Sequence, residues 1–125
     1  NTPGQRKPAD LSGVRSLYDV GLYKEADAAM VVFLSENGNK TTAESHLLQG
    51  QIYAKQKGKY SYAVKEIEEA IKLAPSSVAA RLALGHVHLE VGQNAEKAIE
   101  TLNEALRLSP DNAEALELLK RARQE

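Results

Sequence analysis

A chain of 125 residues is enough for one domain that buries roughly two thirds of its unfolded surface, and 42% hydrophobic with 26% charged residues excludes wholesale disorder and fibrous repeats. Sixteen Lys and Arg against seventeen Asp and Glu leave a net charge of -1, without the basic footprint of a nucleic-acid binder; no apolar run reaches the ~18 residues of a membrane span, so nucleic acid and direct membrane insertion are both excluded as expectations. The lack of cysteine removes disulfides, a thiolate zinc site and a Cys nucleophile without assigning a compartment: a soluble location, cytoplasmic or on the exported side of a bacterial envelope, is permitted.

The first nine residues, NTPGQRKPA, hold two prolines and a glycine and no apolar period, and read as a linker or disordered tail. The opening Asn1 in place of Met suggests a processed product or a piece of something longer. From residue 10 to 125 the pattern is helical, with helices expected at about 10–20, 23–36, 42–57, 59–73, 78–91, 95–108 and 113–124. The second helix carries a loose stripe through Tyr23, Ala26, Met30, Phe33 and Leu34. Tyr60, Ala63, Val64, Ile67, Ala70, Ile71 and Leu73 form a regular amphipathic one, repeated by Ala95, Ala98, Ile99, Leu102, Ala105, Leu106 and Leu108. Expected N-caps are Thr41 with Glu44, Ser76 or Ser77, and Asp111 with Glu114. Gly21, Gly58 and Gly92 are expected to end helices in the left-handed conformation, and Pro75 and Pro110 to stop the helices before them. No stretch alternates as a strand would.

The stripes repeat at a fixed distance. Ala63 to Ala98, Ala70 to Ala105 and Pro75 to Pro110 are each 35 residues apart, while Gly58 to Gly92 is 34 and Gly21 to Gly58 is 37, which marks a recurring helix-turn-helix unit. One hairpin of this kind cannot bury its own apolar face, so neighbours must stack.

Those residues resemble the tetratricopeptide repeat (TPR) family. Leu84-Gly85, Gly92, Ala98, Leu102, Ala105 and Pro110 match its pattern in the third unit, Gly50, Tyr53, Gly58, Tyr60, Ala63, Ile67, Ala70 and Pro75 in the second, and Gly21, Tyr23 and Ala26 in the first, which ends in Asn37-Gly38-Asn39 in place of Pro. Both clear units are 35 residues against the family's usual 34, an excess expected in turns near Lys57 and near Asn94 or Ala95; His46 and Gln49 stand where large apolar residues are usual, and His88 replaces an aromatic. The resemblance implies an all-α, right-handed solenoid of antiparallel hairpins with about seven helices, in units of about 10–42, 43–77 and 78–112 and a capping helix at 113–124. Gly50, Ala63, Ala70, Gly85, Ala98 and Ala105 are then close-contact residues between helices.

Chemistry is sparse. His86 and His88 are two apart on a helix and point to nearly opposite faces, unlike an i,i+4 ligand pair; no HExxH, phosphate loop or nucleophile elbow is present, and Glu68-Glu69 lie on a solvated face. No enzyme, metal or cofactor is expected. Lys55, Lys57 and Lys59 beside Tyr60 and Tyr62 read as a solvated turn, with Tyr60 in the core.

What the resemblance implies is a non-catalytic scaffold that takes a peptide or helix of a protein partner in a concave groove lined by the first helix of each unit. In this sequence those positions are Leu11, Arg15, Tyr18 and Asp19, then Glu44, Leu47, Gln51 and Lys55, then Ala79, Leu82, His86, Leu89 and Glu90, with Glu117 and Arg121 from the cap. The cationic set with which chaperone-binding members hold terminal carboxylates is missing, so an apolar or amphipathic segment is favoured, with Leu82 and Leu89 as anchors outside the core. The alternative is self-assembly into a homo-oligomer as part of a larger scaffold or assembly factor.

Overall fold

Four of the helices begin where a short polar side chain takes over an unpaired backbone N–H. Thr42 and Ser45 form a reciprocal capping box: Ser45 N–H donates to Thr42 Oγ1 at 3.1 Å and Thr42 N–H to Ser45 Oγ at 2.8 Å. Ser77 accepts from Ala80 N–H, Asn94 from Lys97 N–H and Asn112 from Ala115 N–H. Ser77 is one of the two expected residues. Thr42 and Asn112 displace Thr41 and Asp111 by one position, and Asn94, expected in a lengthened turn, is itself a cap.

The structure is a computed structural model that describes residues 11–124, so the expected tail and Asp10 lie outside the described residues. It is all-α: α1 (Leu11–Asp19), α2 (Tyr23–Glu36), α3 (Ala43–Ala54), α4 (Tyr60–Leu73), α5 (Val78–His86), α6 (Ala95–Leu108) and α7 (Ala113–Arg123). The chain divides into two compact units, Asn1–Thr41 and Thr42–Glu125. In the first, α1 buries Leu11 and Val14 and α2 buries Ala26 and Met30. Gly21, at φ 85°, makes the left-handed turn between them.

In the second unit the hairpins α3–α4 and α5–α6 stack and α7 follows. Helix α5 is buried on two sides. Ala80, Leu84 and the following Val87 pack with Ala63, Ile67 and Ala70 of α4, while Leu82 and Leu89 pack with Ala98, Leu102 and Ala105 of α6 and Ala115, Leu118, Leu119 and Ala122 of α7. Gly50 and Gly85 permit the close approach inside each hairpin. A Cβ on Gly50 would lie 2.5 Å from Ile67 Cγ1, and one on Gly85 2.6 Å from Leu102 Cδ2.

The second and third repeats reach the same length differently. Helix α3 stops at Ala54, three residues before its expected end, because Lys55 and Gln56 turn back onto Ile52 and Tyr53 through tight i→i−3 bonds and Gly58 follows at φ 79°. The helix expected over 78–91 instead widens after His86 into a π turn, Val87–Val91, closed by Gly92 N–H on the Val87 carbonyl at 2.9 Å. The additional residue of the third repeat is therefore held inside a helix and not in a turn near Asn94. Gly92 is right-handed, at φ -80°, and the left-handed residue is Gln93 at φ 49°. Gly92 is glycine for another reason: the Tyr60 ring lies on its Cα, where a methyl would collide.

Tyr60 is half-buried, and its hydroxyl meets Nδ1 of the buried His88 at 2.8 Å with the rings edge-on. Burial first and Lys97 second push His88 below the ordinary imidazole value, against the opposing pull of Glu68 and Glu100; burial, then Glu68, raises the Tyr60 hydroxyl. Unfolded, His88 takes a proton as the pH falls through about 6.5, whereas folded it does so only at lower pH. The unfolded state thus binds more protons and stability is lost progressively below that value. Melting midpoints should fall on acidification from about pH 7 to about pH 5, and fall less in His88→Phe; parallel curves for the two proteins would contradict this.

Candidate partner-binding face

The groove positions of the first unit separate at once. Leu11 is buried, so it supplies core and not contact surface. Arg15 and Asp19 are exposed, and Tyr18 is half-buried with its ring 5.7 Å from that of Tyr23. Burial, then the neighbouring Tyr23, raises the Tyr18 hydroxyl above its usual value, so it remains a neutral donor.

In the second unit the core sides of α3, α5 and α7 are committed to packing, and the remaining positions form the face of interest. Leu47 is half-buried; with Ala43, Glu44, Ala70, Ser77 and Ala80 it lines a depression of about 240 Å³. One turn on, Gln51 is half-buried and its Oε1 is wholly buried without a donor. Lys55 is exposed at the C-terminal end of α3, and Ala79 is exposed in the first turn of α5.

Leu82 and Leu89 depart from the expectation. They are only 9% and 3% exposed because α7 and α6 close over them, so they are core residues and not anchors standing outside it. What the expected positions bring together is polar. His86 Nδ1 pairs with Oε1 of Glu90 four residues on, and Arg121 Nη2 donates to Glu90 Oε2 at 2.9 Å. Glu90 sits in the π turn, and Arg121 reaches it from α7. Leu89, Glu90, Gln93 and Arg121 line an open depression of about 530 Å³. The Arg121 hydrogen bond is the largest influence on Glu90 and, with His86 adding to it, holds its carboxyl below the usual range against the opposing effect of burial. Glu117, a turn before Arg121, is exposed.

These pairs orient side chains more than they stabilise the fold. Arg121 and Glu90 are 43% and 44% exposed, and water screens an ion pair at that exposure. The His86–Glu90 contact is legible from its i,i+4 spacing, but the part of Arg121, 31 residues away, is not. His46, standing where an apolar residue is usual, is tied across the α3–α4 hairpin to Glu66 at 2.7 Å. Lys59, in the lysine turn, lies over the Tyr62 ring at 4.9 Å. Among the described residues no group of His, Asp and Glu gathers that would hold a metal ion, and no helix is long and apolar enough to cross a membrane.

The model of a family described as tetratricopeptide repeat matches residues 47–113. No curated protein sequence matches the chain. Several solved structures share its fold. The second TPR domain of human RPAP3, in complex with the HSP70 peptide SGPTIEEVD, is 22% identical over 90% of this chain and 90% of that one, with a TM-score of 0.74. The first TPR of Spaghetti (RPAP3), bound to the HSP90 peptide SRMEEVD, is 21% identical over 90% of this chain and 86% of that one, at 0.75. The Arabidopsis OM64 TPR domain is 20% identical over 90% and 89%, at 0.74.

Proposed function

Since the chain belongs to the tetratricopeptide repeat family, we propose that it is a non-catalytic protein-interaction module whose second unit takes an amphipathic segment of a partner along the exposed face of α3, α5 and α7. Leu47, Gln51, Lys55, His86, Glu117 and Arg121 are the contact residues. Arg15 and Tyr18 are candidates of the same kind on the first unit. Two of the similar domains carry acidic chaperone peptides, which gives the mode of use a precedent and leaves the choice of peptide to this chain's own side chains.

The observation that carries the reading is Gln51. A buried amide oxygen without a donor costs about 1–3 kcal/mol, and this one lies one helical turn from Leu47, which packs against the edge of the α4–α5 core cluster and still lines a surface depression. The half-buried amide can swing outward as a partner docks, so that its oxygen accepts a partner's N–H and that cost is removed on binding. Gln51→Ala should therefore leave the thermal midpoint unchanged or slightly raised, yet weaken binding of an amphipathic Leu/Lys peptide by more than ~1 kcal/mol. Amide chemical-shift mapping with that peptide should mark Leu47, Gln51, Lys55, His86 and Arg121. Shifts confined to the outer sides of α4 and α6, or none at all, would remove this reading.

A further inference from the structure

On the face proposed above, the side chains able to hold an anion are few, and two of them are already taken. We propose that Glu90 is a specificity-determining residue: by binding His86 and Arg121 on its own carboxylate it withdraws the cations of the α5–α7 side from any partner, and so turns the face away from acidic segments and toward cationic ones. This rests on the peptide-binding reading and names the chemistry of its partner.

The geometry supports it in three steps. Both carboxylate oxygens of Glu90 are used, Oε1 on His86 Nδ1 and Oε2 on Arg121 Nη2, so the acid occupies the place that an incoming carboxylate would need. Its partners hold it ionised further into acid than an ordinary carboxyl. Of the exposed charge that remains, Glu44 on α3 and Glu114 and Glu117 on α7 are in no ion pair among the described residues; the exposed cations are Lys55 at the end of α3 and Lys120 and Arg123 on α7, the last two turned about 100° or more away from Arg121 around the helix. An acidic segment laid here finds an occupied Arg121 and unpaired carboxylates, and like charges brought together at an interface select against a partner. A segment with Lys or Arg spaced between apolar residues meets Leu47 with its apolar side and the free glutamates with its cations. The buried Gln51 oxygen likewise asks for a donor and not for an acid.

Fluorescence anisotropy on the full chain with two labelled probes, the acidic heptapeptide SRMEEVD and an amphipathic Leu/Lys peptide, decides the matter. The unaltered protein should bind the Leu/Lys probe at least ~10-fold more tightly than the acidic one. In Glu90→Gln the acidic probe should tighten at least ~10-fold and the Leu/Lys probe should weaken, and in Glu90→Gln with Arg121→Ala the acidic gain should vanish. Arg121→Ala alone should give no tightening of the acidic probe, a check that holds even if the Gln variant folds poorly. An unchanged acidic affinity in a folded Glu90→Gln protein, a gain that survives loss of Arg121, or an acidic probe preferred by the unaltered protein would each overturn the assignment, while binding of the Leu/Lys probe would keep the peptide-binding reading alive. Neither probe binding to any of these proteins would overturn both.

Discussion

Replacing Leu82 and Leu89 together by alanine should destabilise the chain by about 4 kcal/mol or more, a large share of the 5–15 kcal/mol that holds a typical domain. Each truncation of a buried leucine costs about 2–5 kcal/mol through lost transfer energy and the cavity left behind. These two are 9% and 3% exposed and touch the same cluster on α6 and α7. Because they share neighbours, the second removal adds less than the first. In a stacked array the loss is felt mainly at the nearest interface. Amide exchange should therefore quicken first in α6 and α7, with α3 and α4 following only on global unfolding. Chemical denaturation followed by circular dichroism supplies the global figure. A midpoint equal to the parent's would mean that the two leucines stand in solvent after all, as docking anchors should.

Gly85→Leu should cost about 3 kcal/mol or more. The first added carbon already lies 2.6 Å from Leu102 Cδ2 and 2.8 Å from its Cγ, and Leu102 is 0% exposed, so it has nowhere to retreat. Either α5 and α6 separate or Leu102 leaves its rotamer. Glycine as such is not the cause, and Gly13 in α1 provides the contrast. Nothing lies within 4 Å of a Cβ built there, so Gly13→Ala should stabilise by about 0.5–1 kcal/mol through helix propensity alone. Thermal melts of the two variants should move in opposite directions; the same sign for both would show that the close contact between α5 and α6 has been misassigned.

Much of this architecture is legible before any coordinates. The stripes and the spacing of 35 locate α4 and α6, and the paired glycines mark both close contacts. Gly92 misleads because it resembles a partner of Gly58, although the same spacing of 35 applied to Gly58 leads to Gln93, the residue that does turn left-handed at φ 49°. The caps slip by one where two adjacent residues are both able to accept a hydrogen bond, and only the path of the chain chooses between them. Burial of Leu82 and Leu89 is harder to foresee. Helix α5 carries apolar residues on two sides, and the period of one helix says nothing about which sides have neighbours; that depends on how closely α7 follows. The Arg121–Glu90 contact is out of reach for the same reason, since it joins groups from elements whose register only packing sets.

The π turn at Val87–Val91 bears on how a chain of this kind changes length by insertion. One residue gained within an α-helix rotates everything after it by about 100° and takes every later contact off its mark. Here the widened turn absorbs that rotation before α6 begins, and Gly85 still faces Leu102 just as Gly50 faces Ile67, with both members of the pair displaced by the same 35 positions. Copies made by duplication can thus drift in length, one spending the additional residue in a tight turn and the other inside a helix, without a compensating change in their neighbours.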